Sequence, residues 1–492
     1  MGAIQYGSVT GTFATLNVIN NPNGFTPILR YNATRGSNTK GPPTPGSVNA
    51  SHGNRDDLKR RLGRVREAAA KVNECVGVLL DLGGPKIRIE GFTGGRVQLN
   101  EGQPFTLDTG MDPKGGSERC VGVAYKNLPR DVVAGDTLLL SDGQIVLDVE
   151  RVAGECIETR VRIGGELSDR KGLNRQGGGI SAPALSDKDR DDIRFAAEER
   201  IDYVAVSFAR DAADVEQART LIRQAGWDAG IVAKIERHEA ITNLGGIVAA
   251  ADVVMVARGD LGVEMGYAEL TGLQKTIIHQ SRAKNRVVIT ATQMMESMIQ
   301  NPVPTRAEVS DVANAVIDGS DAVMLSAETA TGRYPVKAVQ AMAQVIAGAE
   351  KYQLAHSRTR HRIDGNFEGT EEAIAMAVMY TANHLKVRAI VALTESGATP
   401  LWMSRIRSDI PIYAFTRHEA TRRRVTLYRG VYPVIFDETG QSRAEAPYNS
   451  IFKRLLELEL VKEGDLVILT KGERSGVQGG TNSMQILKVI VS

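Results

Sequence analysis

Cysteine is scarce: Cys75, Cys120 and Cys156 are the only three among 492 residues, and none forms a CxxC pair. That argues against a disulfide framework and against a structural zinc site, and a reducing cytoplasm is the expected home. Long apolar runs are missing too. No stretch approaches the roughly 20 apolar residues of a membrane span, and the N-terminus shows no charged-then-apolar leader. Charge of one sign is not in excess. Sixty Lys and Arg against 58 Asp and Glu give a formal net charge of +2, which leaves no general footprint for nucleic acid. Aromatics are sparse, and Trp227 and Trp402 are expected to be packing residues. Two phosphate motifs are also absent. With no GxxxxGK[ST] loop and no HRD…DFG set, any chemistry on phosphate needs another scaffold.

What is present is a repeating pattern, in a chain long enough for two to four domains. From Ser186 to about Pro335, helix-like and strand-like segments alternate with little slack. Ser186, with Asp189 three residues on, predicts a capped helix over "DRDDIRFAAEER". "YVAVSF", "IVAKIE", "VVMVARGD", "VVITATQ" and "AVMLSAE" predict strands, and such continuous apolar runs suit a parallel sheet buried on both faces. These strands end in Ser207, Lys234 with Glu236, Asp260, Thr292 and Glu328, and "VGVLLD" ends in Asp81. Polar groups at the C-terminal ends favour a TIM (β/α)8 barrel over a doubly wound sheet. Six strands are visible, so the missing pair is expected within the first 50 residues.

Between Lys86 and about Pro183, apolar and polar residues alternate around Gly and Asp-Gly turns, as in a small antiparallel β domain inserted after the third barrel strand. "SRTRHRIDGNFEG" reads as a linker. The remainder, with "RAIVALTES", "PIYAFTR", "VYPVIF" and "DLVILTKG" between helices, reads as a doubly wound α/β domain. The expected domains are 1–85, the first part of the barrel with 1–50 atypical; 86–183, the lid; 184–352, the rest of the barrel; and 353–492, a C-terminal regulatory α/β domain.

Glu236 and Asp260 end consecutive strands at one edge of the sheet. Two hard oxygen ligands so placed suit magnesium, or manganese in its place, with other positions left to water and substrate oxygens. Lys234 shares the face of Glu236 by the period of two. A lysine beside two metal-binding carboxylates suits a transferring phosphoryl group. The competing reading is a network of ion pairs with no further role.

"LLDLGGPKIR", "AKIERHEAI", "VMVARGDLGVE" and the run from "ITATQMMESMIQNPVPTRAEV" to "LSAETATGRYP" closely resemble the pyruvate kinase family, from about His52 to the C-terminus. The resemblance implies the same three-part fold, a TIM barrel with an inserted small β-barrel lid domain and a C-terminal doubly wound α/β domain. It also implies magnesium-dependent transfer of phosphoryl from phosphoenolpyruvate to ADP, giving pyruvate and ATP in the last step of glycolysis. By matched motifs, Lys234 would stabilise the phosphoryl in flight and Glu236 and Asp260 would hold the metal. Arg258, Gly259 and Asp260 would open a helix at the substrate carboxylate, with Ser207 and Thr292 on the substrate side and Thr292 near the enolate. Arg88 would meet phosphate, while Asn49, His52, Arg88, Lys171 and Asn174 would approach the nucleotide. Lys86 stands where potassium-requiring members have glutamate. With Asn49, Ser51 and Asp81 it is expected to supply the missing cation, so that potassium is not required.

"TESGAT" matches the family's effector loop, so Thr394, Glu395, Ser396, Gly397 and Thr399 are expected at the phosphate of a sugar or nucleotide effector. Ala398 replaces a frequent arginine, which leaves Arg417, Arg422 or Arg423 to supply charge, against a competing reading of these as a solvated helix face. "GERSGVQGGTN" would close over the effector. A cytoplasmic homotetramer with no nucleic-acid or membrane partner is implied. Two alternatives stand beside this reading: a catalytically impaired metabolite-binding paralogue, and another phosphoenolpyruvate-handling barrel such as a lyase. The lid and its "KGLN" argue against a lyase, which needs no nucleotide.

The first 50 residues depart from the family. Members carry "RLNFSHG", whose arginine meets the substrate phosphate; here "SVNASHG" puts Ser47 in its place. "TFATLNVIN" only loosely follows the family's first strand. "GSNTKGPPTPGSV" puts helix-breaking Gly and Pro where a helix belongs. The expectation is that the stretch before about Ala50 is wrongly read, for instance by a frame shift, and the alternative is a genuine loss of the arginine.

Overall fold

The computed structural model describes residues 25–30 as backbone, and 46–50, 54–356, 367, 369–437, 448–472 and 480–490 in full. Ser51 and His52, the "TFATLNVIN" segment and the core of "GERSGVQGGTN" lie outside these residues. Eight strands close a ring: β1 Phe25–Arg30, β2 Gly46–Asn49, β3 Val78–Asp81, β4 Tyr203–Val206, β5 Gly230–Ile235, β6 Val253–Ala257, β7 Val287–Ala291 and β8 Ala322–Met324. Their order around the ring is β1-β8-β7-β6-β5-β4-β3-β2. The barrel expected from the strand pattern is therefore present, and its missing pair comes from the first 50 residues.

One strand corrects the expectation of a uniformly parallel barrel. β1 runs antiparallel to both neighbours, with Ile28 opposite Met324 and Phe25 opposite Val48. A parallel pair needs a crossover of a dozen or more residues, usually a helix, and an antiparallel pair does not. Between β1 and β2 the sequence has Gly36, Gly41, Pro42, Pro43 and Pro45, which are poor material for that helix.

By compactness the chain divides into two units, taken here one at a time. The first comprises Asp81–Arg200 and Val204–Gln280. Its inserted part has a six-stranded sheet in the order Leu173–Arg175, Thr137–Leu140, Ile145–Ala153, Cys156–Ile163, Pro104–Asp108, Cys120–Gly122. Neighbours are antiparallel except the last, which runs parallel to Pro104–Asp108 because 109–119 carries the chain back to the starting end. A two-stranded ribbon pairs Arg96–Leu99 with Gly165–Ser168. Alternate residues of these strands, among them Phe105, Leu107, Leu138, Leu147 and Ile157, fill one apolar core. The helix Asp187–Glu198 starts in a capping box, with Ser186 accepting from the Asp189 N–H and the Asp189 carboxylate accepting from that of Ser186. It buries Ile193, Phe195 and Ala196.

The second unit comprises Met1–Leu80, Ile201–Tyr203 and Ser281–Ser492. Its C-terminal sheet has the order Val431–Ile435, Ile412–Thr416, Ala389–Leu393, Leu466–Gly472, Thr481–Lys488. Four strands are parallel; the fifth, which the sequence pattern did not reveal, is antiparallel at the edge. Among the described residues, no helix is long and apolar enough to cross a membrane.

Candidate active site

β3, β4 and β5 end in polar residues because each strand leaves the apolar barrel wall at its C-terminus. β3 delivers Asp81, Ser207 follows β4, and Lys234 and Glu236 come at the end of β5. Lys234 Nζ lies 3.1 Å from an Asp81 oxygen and 3.0 Å from a Glu236 oxygen, and donates to Ser207 Oγ at 2.8 Å. Ser207 Oγ in turn donates to the Leu82 carbonyl at 2.8 Å. The second oxygen of Glu236 accepts the Phe208 N–H at 2.8 Å, and Phe208 holds φ at 57° to offer it. A left-handed aromatic residue is strained backbone of the kind kept at functional sites.

The turn after β3 is specified closely. Gly84 has φ 63°, and a Cβ there would come within 2.9 Å of Ser207 Cβ. Only glycine lets the "GGPK" turn pass this close to Ser207. The turn brings Lys86 Nζ within 3.3 Å of Asp260 Oδ1 and 3.9 Å of Asp142 Oδ1. Lys86 therefore reaches Asp260, not the Asp81 with which it was expected to act; Asp81 is taken by Lys234.

Four carboxylates, Asp81, Glu236, Asp260 and the exposed Asp142, thus share two ammonium groups, which leaves negative charge in excess. Burial raises the Glu236 carboxyl above its ordinary pKa; Lys234 opposes this, and the charges of Asp260 and Asp81 add to it. Burial alone would lower the Lys234 pKa, but Asp81, Glu236 and Asp260 together hold it above the usual lysine value. The ammonium stays charged. Among the described residues, no three His, Cys, Asp or Glu converge into a closed metal cage. Two hard carboxylates with surplus negative charge and open positions fit magnesium, which keeps most of its shell for water and substrate.

Other expected residues find varied places. The helix Arg258–Met265 begins directly after β6, with Gly259 and Asp260 in its first turn; Arg258 is buried and its guanidinium donates to Gln274 at 3.4 Å. Arg88 is half-buried and donates to the Arg170 carbonyl at 2.9 Å, on the ladder that exposes Lys171. Asn174, expected at the nucleotide, is buried, and its amide helps to hold the Glu264 carboxyl down. Asn49 ends β2, where Ser47 is buried. In the second unit, Thr292 and Gln293 follow β7 with φ of 68° and 52°, and Thr292 Oγ1 donates to the Ala291 carbonyl at 2.6 Å. Glu328, grouped with the strand-end polar residues, is spent on backbone: it accepts from the N–H of Met295 and of Ser326.

The Thr394–Thr399 loop also lies in the second unit. Thr394 Oγ1 accepts the Gly397 N–H at 2.9 Å, and Thr399 is buried against Thr481. Glu395 takes Arg417 and His418 as partners, so Arg417 is already engaged within the loop. Arg422 pairs with Glu419, and Arg423 binds the buried Asp202 at 2.9 Å. Arg423 is therefore tied to a buried carboxylate rather than wholly solvated. Sequence reasoning missed Glu264, whose carboxyl burial raises to about 7 although it accepts the His238 N–H at 3.1 Å. Its signal was its place one helical turn after Asp260.

Comparison with known proteins gives one answer. The profile described as "Pyruvate kinase, barrel domain" matches residues 46–339, and "Pyruvate kinase, alpha/beta domain" matches 372–487. The chain is 52% identical over 446 residues to "Pyruvate kinase II" of Salmonella typhimurium, covering 90% of this chain and 92% of that one. It is 52% identical over 436 residues to the pyruvate kinase of Haemophilus influenzae, covering 88% and 90%. The crystal structure of a pyruvate kinase from Cryptosporidium parvum superposes with a TM-score of 0.81 at 33% identity, covering 90% of each chain.

Proposed function

The chain belongs to the pyruvate kinase family, and on that premise we propose how its own residues carry the transfer of phosphoryl from phosphoenolpyruvate to ADP. One observation carries the reading: Lys234, Asp81, Glu236 and Ser207 are packed within hydrogen-bonding distance at the strand ends. Lys234 is the fixed positive charge that meets the phosphoryl group as it leaves the enolate oxygen. Asp81 and Ser207 hold the ammonium in place, so it needs no reorganisation during the reaction. Glu236 and Asp260 are the residues that would hold magnesium, which when bound offsets negative charge on the phosphoryl oxygens. The start of the Arg258–Met265 helix receives the substrate carboxylate. Thr292 borders the enolate, Arg88 meets phosphate, and Lys171 meets the nucleotide.

Lys86 supplies a tethered monovalent charge, so turnover proceeds without added potassium; its 3.3 Å contact with Asp260 supports this role. The Thr394–Thr399 loop takes the phosphate of a sugar or nucleotide effector, and the enzyme works as a cytoplasmic homotetramer. A second reading, of impaired turnover, is favoured by the buried Ser47 in place of the family's arginine.

A coupled assay separates the readings. Phosphoenolpyruvate, ADP and magnesium are supplied, and pyruvate is followed through lactate dehydrogenase. Robust turnover supports the first reading. Substrate binding without turnover supports the second. Peptide mass mapping of residues 2–50 checks whether the N-terminal stretch is expressed as written.

A further inference from the structure

The inserted domain returns to the barrel through the strand Leu173–Arg175 and then Gly177, Gly178 and Gly179, whose φ values are 82°, 77° and 89°. Three left-handed residues in a row cost most backbone freedom to order, so something must hold them. Three contacts do. The Gly177 N–H donates to the Glu264 carbonyl at 3.2 Å, the Gly179 N–H donates to Glu239 Oε1 at 2.6 Å, and Arg237 Nη2 donates to the Ile180 carbonyl at 2.6 Å. The Arg237 side chain is only 4% exposed and pairs with Glu239 at 3.3 Å. At Gly178 a Cβ would lie 3.0 Å from both Glu239 oxygens and from His238 Cβ. The strand is thus pressed against one carboxylate.

We infer that Arg237, Glu239 and Glu264 form a clasp that positions this return strand, and with it Lys171, for the nucleotide half of the reaction. The carriers of the clasp are the carriers of the chemistry. Arg237 to Glu239 follow Glu236 without a break, and Glu264 lies on the helix that Arg258, Gly259 and Asp260 begin. Lys171 belongs to the same ladder as the return strand: its carbonyl accepts the Ile89 N–H at 3.0 Å, and the Leu173 N–H donates to the Ile87 carbonyl at 2.9 Å. A cavity of about 20 Å³, large enough for one water, is lined by Lys86, Leu173, Asn174, Ile180, Arg237 and Glu264. Leu173, Ile180 and Ala182 anchor the segment at either end in the apolar core of the insert. Between them, where glycines offer no side chain to pack, the polar bonds hold the chain.

The inference rests on the reading that Lys171 meets the nucleotide, and it is tested by Glu239→Ala, Glu239→Gln, Gly178→Ala and the double variant Gly178→Ala/Glu239→Ala. The KM for ADP is expected to rise about tenfold in Glu239→Ala, because small displacements of positioning groups are costly, while the KM for phosphoenolpyruvate changes by less than about twofold. Glu239→Gln keeps an acceptor for Gly179 and recovers most of the loss. Gly178→Ala matches Glu239→Ala, and the double variant is no worse than either, because both changes break one contact. Unchanged KM for ADP in both single variants overturns the clasp. So does an equal loss toward both substrates that tracks a lower melting temperature. An inactive wild type would instead strike at the functional reading. The clasp is then read from hydrogen exchange: faster exchange of the Gly179 amide in Glu239→Ala sustains it, and an unchanged rate overturns it.

Discussion

Lys234→Met takes one positive charge out of the buried cluster at nearly constant volume. The ammonium it removes lies 3.1 Å from Asp81, 3.0 Å from Glu236 and 2.8 Å from Ser207 Oγ. Two losses follow. A preorganised group aimed at transition-state charge is worth a factor of about 10² to 10³ in kcat, or ~3 to 4 kcal/mol. Deleting one partner of a buried ion pair costs ~3 to 5 kcal/mol of folding stability, since Asp81 and Glu236 would face each other uncompensated. Because a whole protein has only ~5 to 15 kcal/mol to lose, the two effects must be measured apart. One of the two carboxyls will take up a proton, which recovers part of the stability at low pH and none of the catalysis. The assay is lactate dehydrogenase-coupled turnover at saturating phosphoenolpyruvate and ADP, beside circular dichroism on the same sample. Lys234→Arg serves as the charge-keeping control. The expected result is a folded Lys234→Met protein with kcat down by about 10² to 10³ and the KM for phosphoenolpyruvate little changed. A folded variant that keeps a tenth of wild-type turnover would refute the assignment, since that is only ~1.4 kcal/mol of transition-state stabilisation.

The wild type is expected to turn over in sodium or tetramethylammonium buffer. Lys86→Glu sets a second carboxylate beside Asp260 and should make activity depend on added potassium; a variant indifferent to potassium removes the role proposed for Lys86. Glu350 is buried near Arg429, and burial raises its carboxyl to about 7. The unfolded chain loses that proton near pH ~4.3, so the folded state binds more protons between the two values and stability falls as pH rises through that window. Glu350→Gln should therefore stabilise by on the order of 3 kcal/mol in urea titrations at pH 8 and give no gain at pH 4; equal effects at both pH values would contradict this. Asp321 pairs with Arg405 in full burial and accepts the Val288 N–H at 2.9 Å. Asp321→Ala should cost ~3 to 5 kcal/mol in the same titrations, and a cost under ~1 kcal/mol would show the pair is dispensable.

Much of the fold was legible because burial writes itself into sequence. The strands β3 to β8 are apolar runs, and the inserted strands alternate as a one-sided sheet must. The helix Asp187–Glu198 announces itself through Ser186 and Asp189. Legibility fails where those signals stop. The direction of β1 could not be read, because nothing in a six-residue strand records which way its neighbours run, and the Gly- and Pro-rich sequence after it gives no helical pattern to tell. The edge strand Thr481–Lys488 was hidden for a different reason. It lies behind a glycine-rich stretch that reads as loop, and most of its side chains are only half-buried, so its alternation is weak.

In the candidate site the same divide runs between which groups gather and which groups pair. Gathering follows from strand order and the period of two, so Asp81, Ser207, Lys234, Glu236 and Asp260 could be named in advance. Pairing depends on shifts of an ångström, and sequence does not record it. Lys86 reaches Asp260, Asn174 is buried beside Glu264, and Arg423 is held by Asp202. The electrostatic balance does not depend on these partners. Four carboxylates sharing two ammonium groups carry surplus negative charge however the partners are exchanged, and that surplus is what favours a divalent cation. Total charge at a rim is a property of composition and topology, which evolution cannot alter without changing a residue. The identity of each ion pair is a property of packing, and it responds to every neighbour.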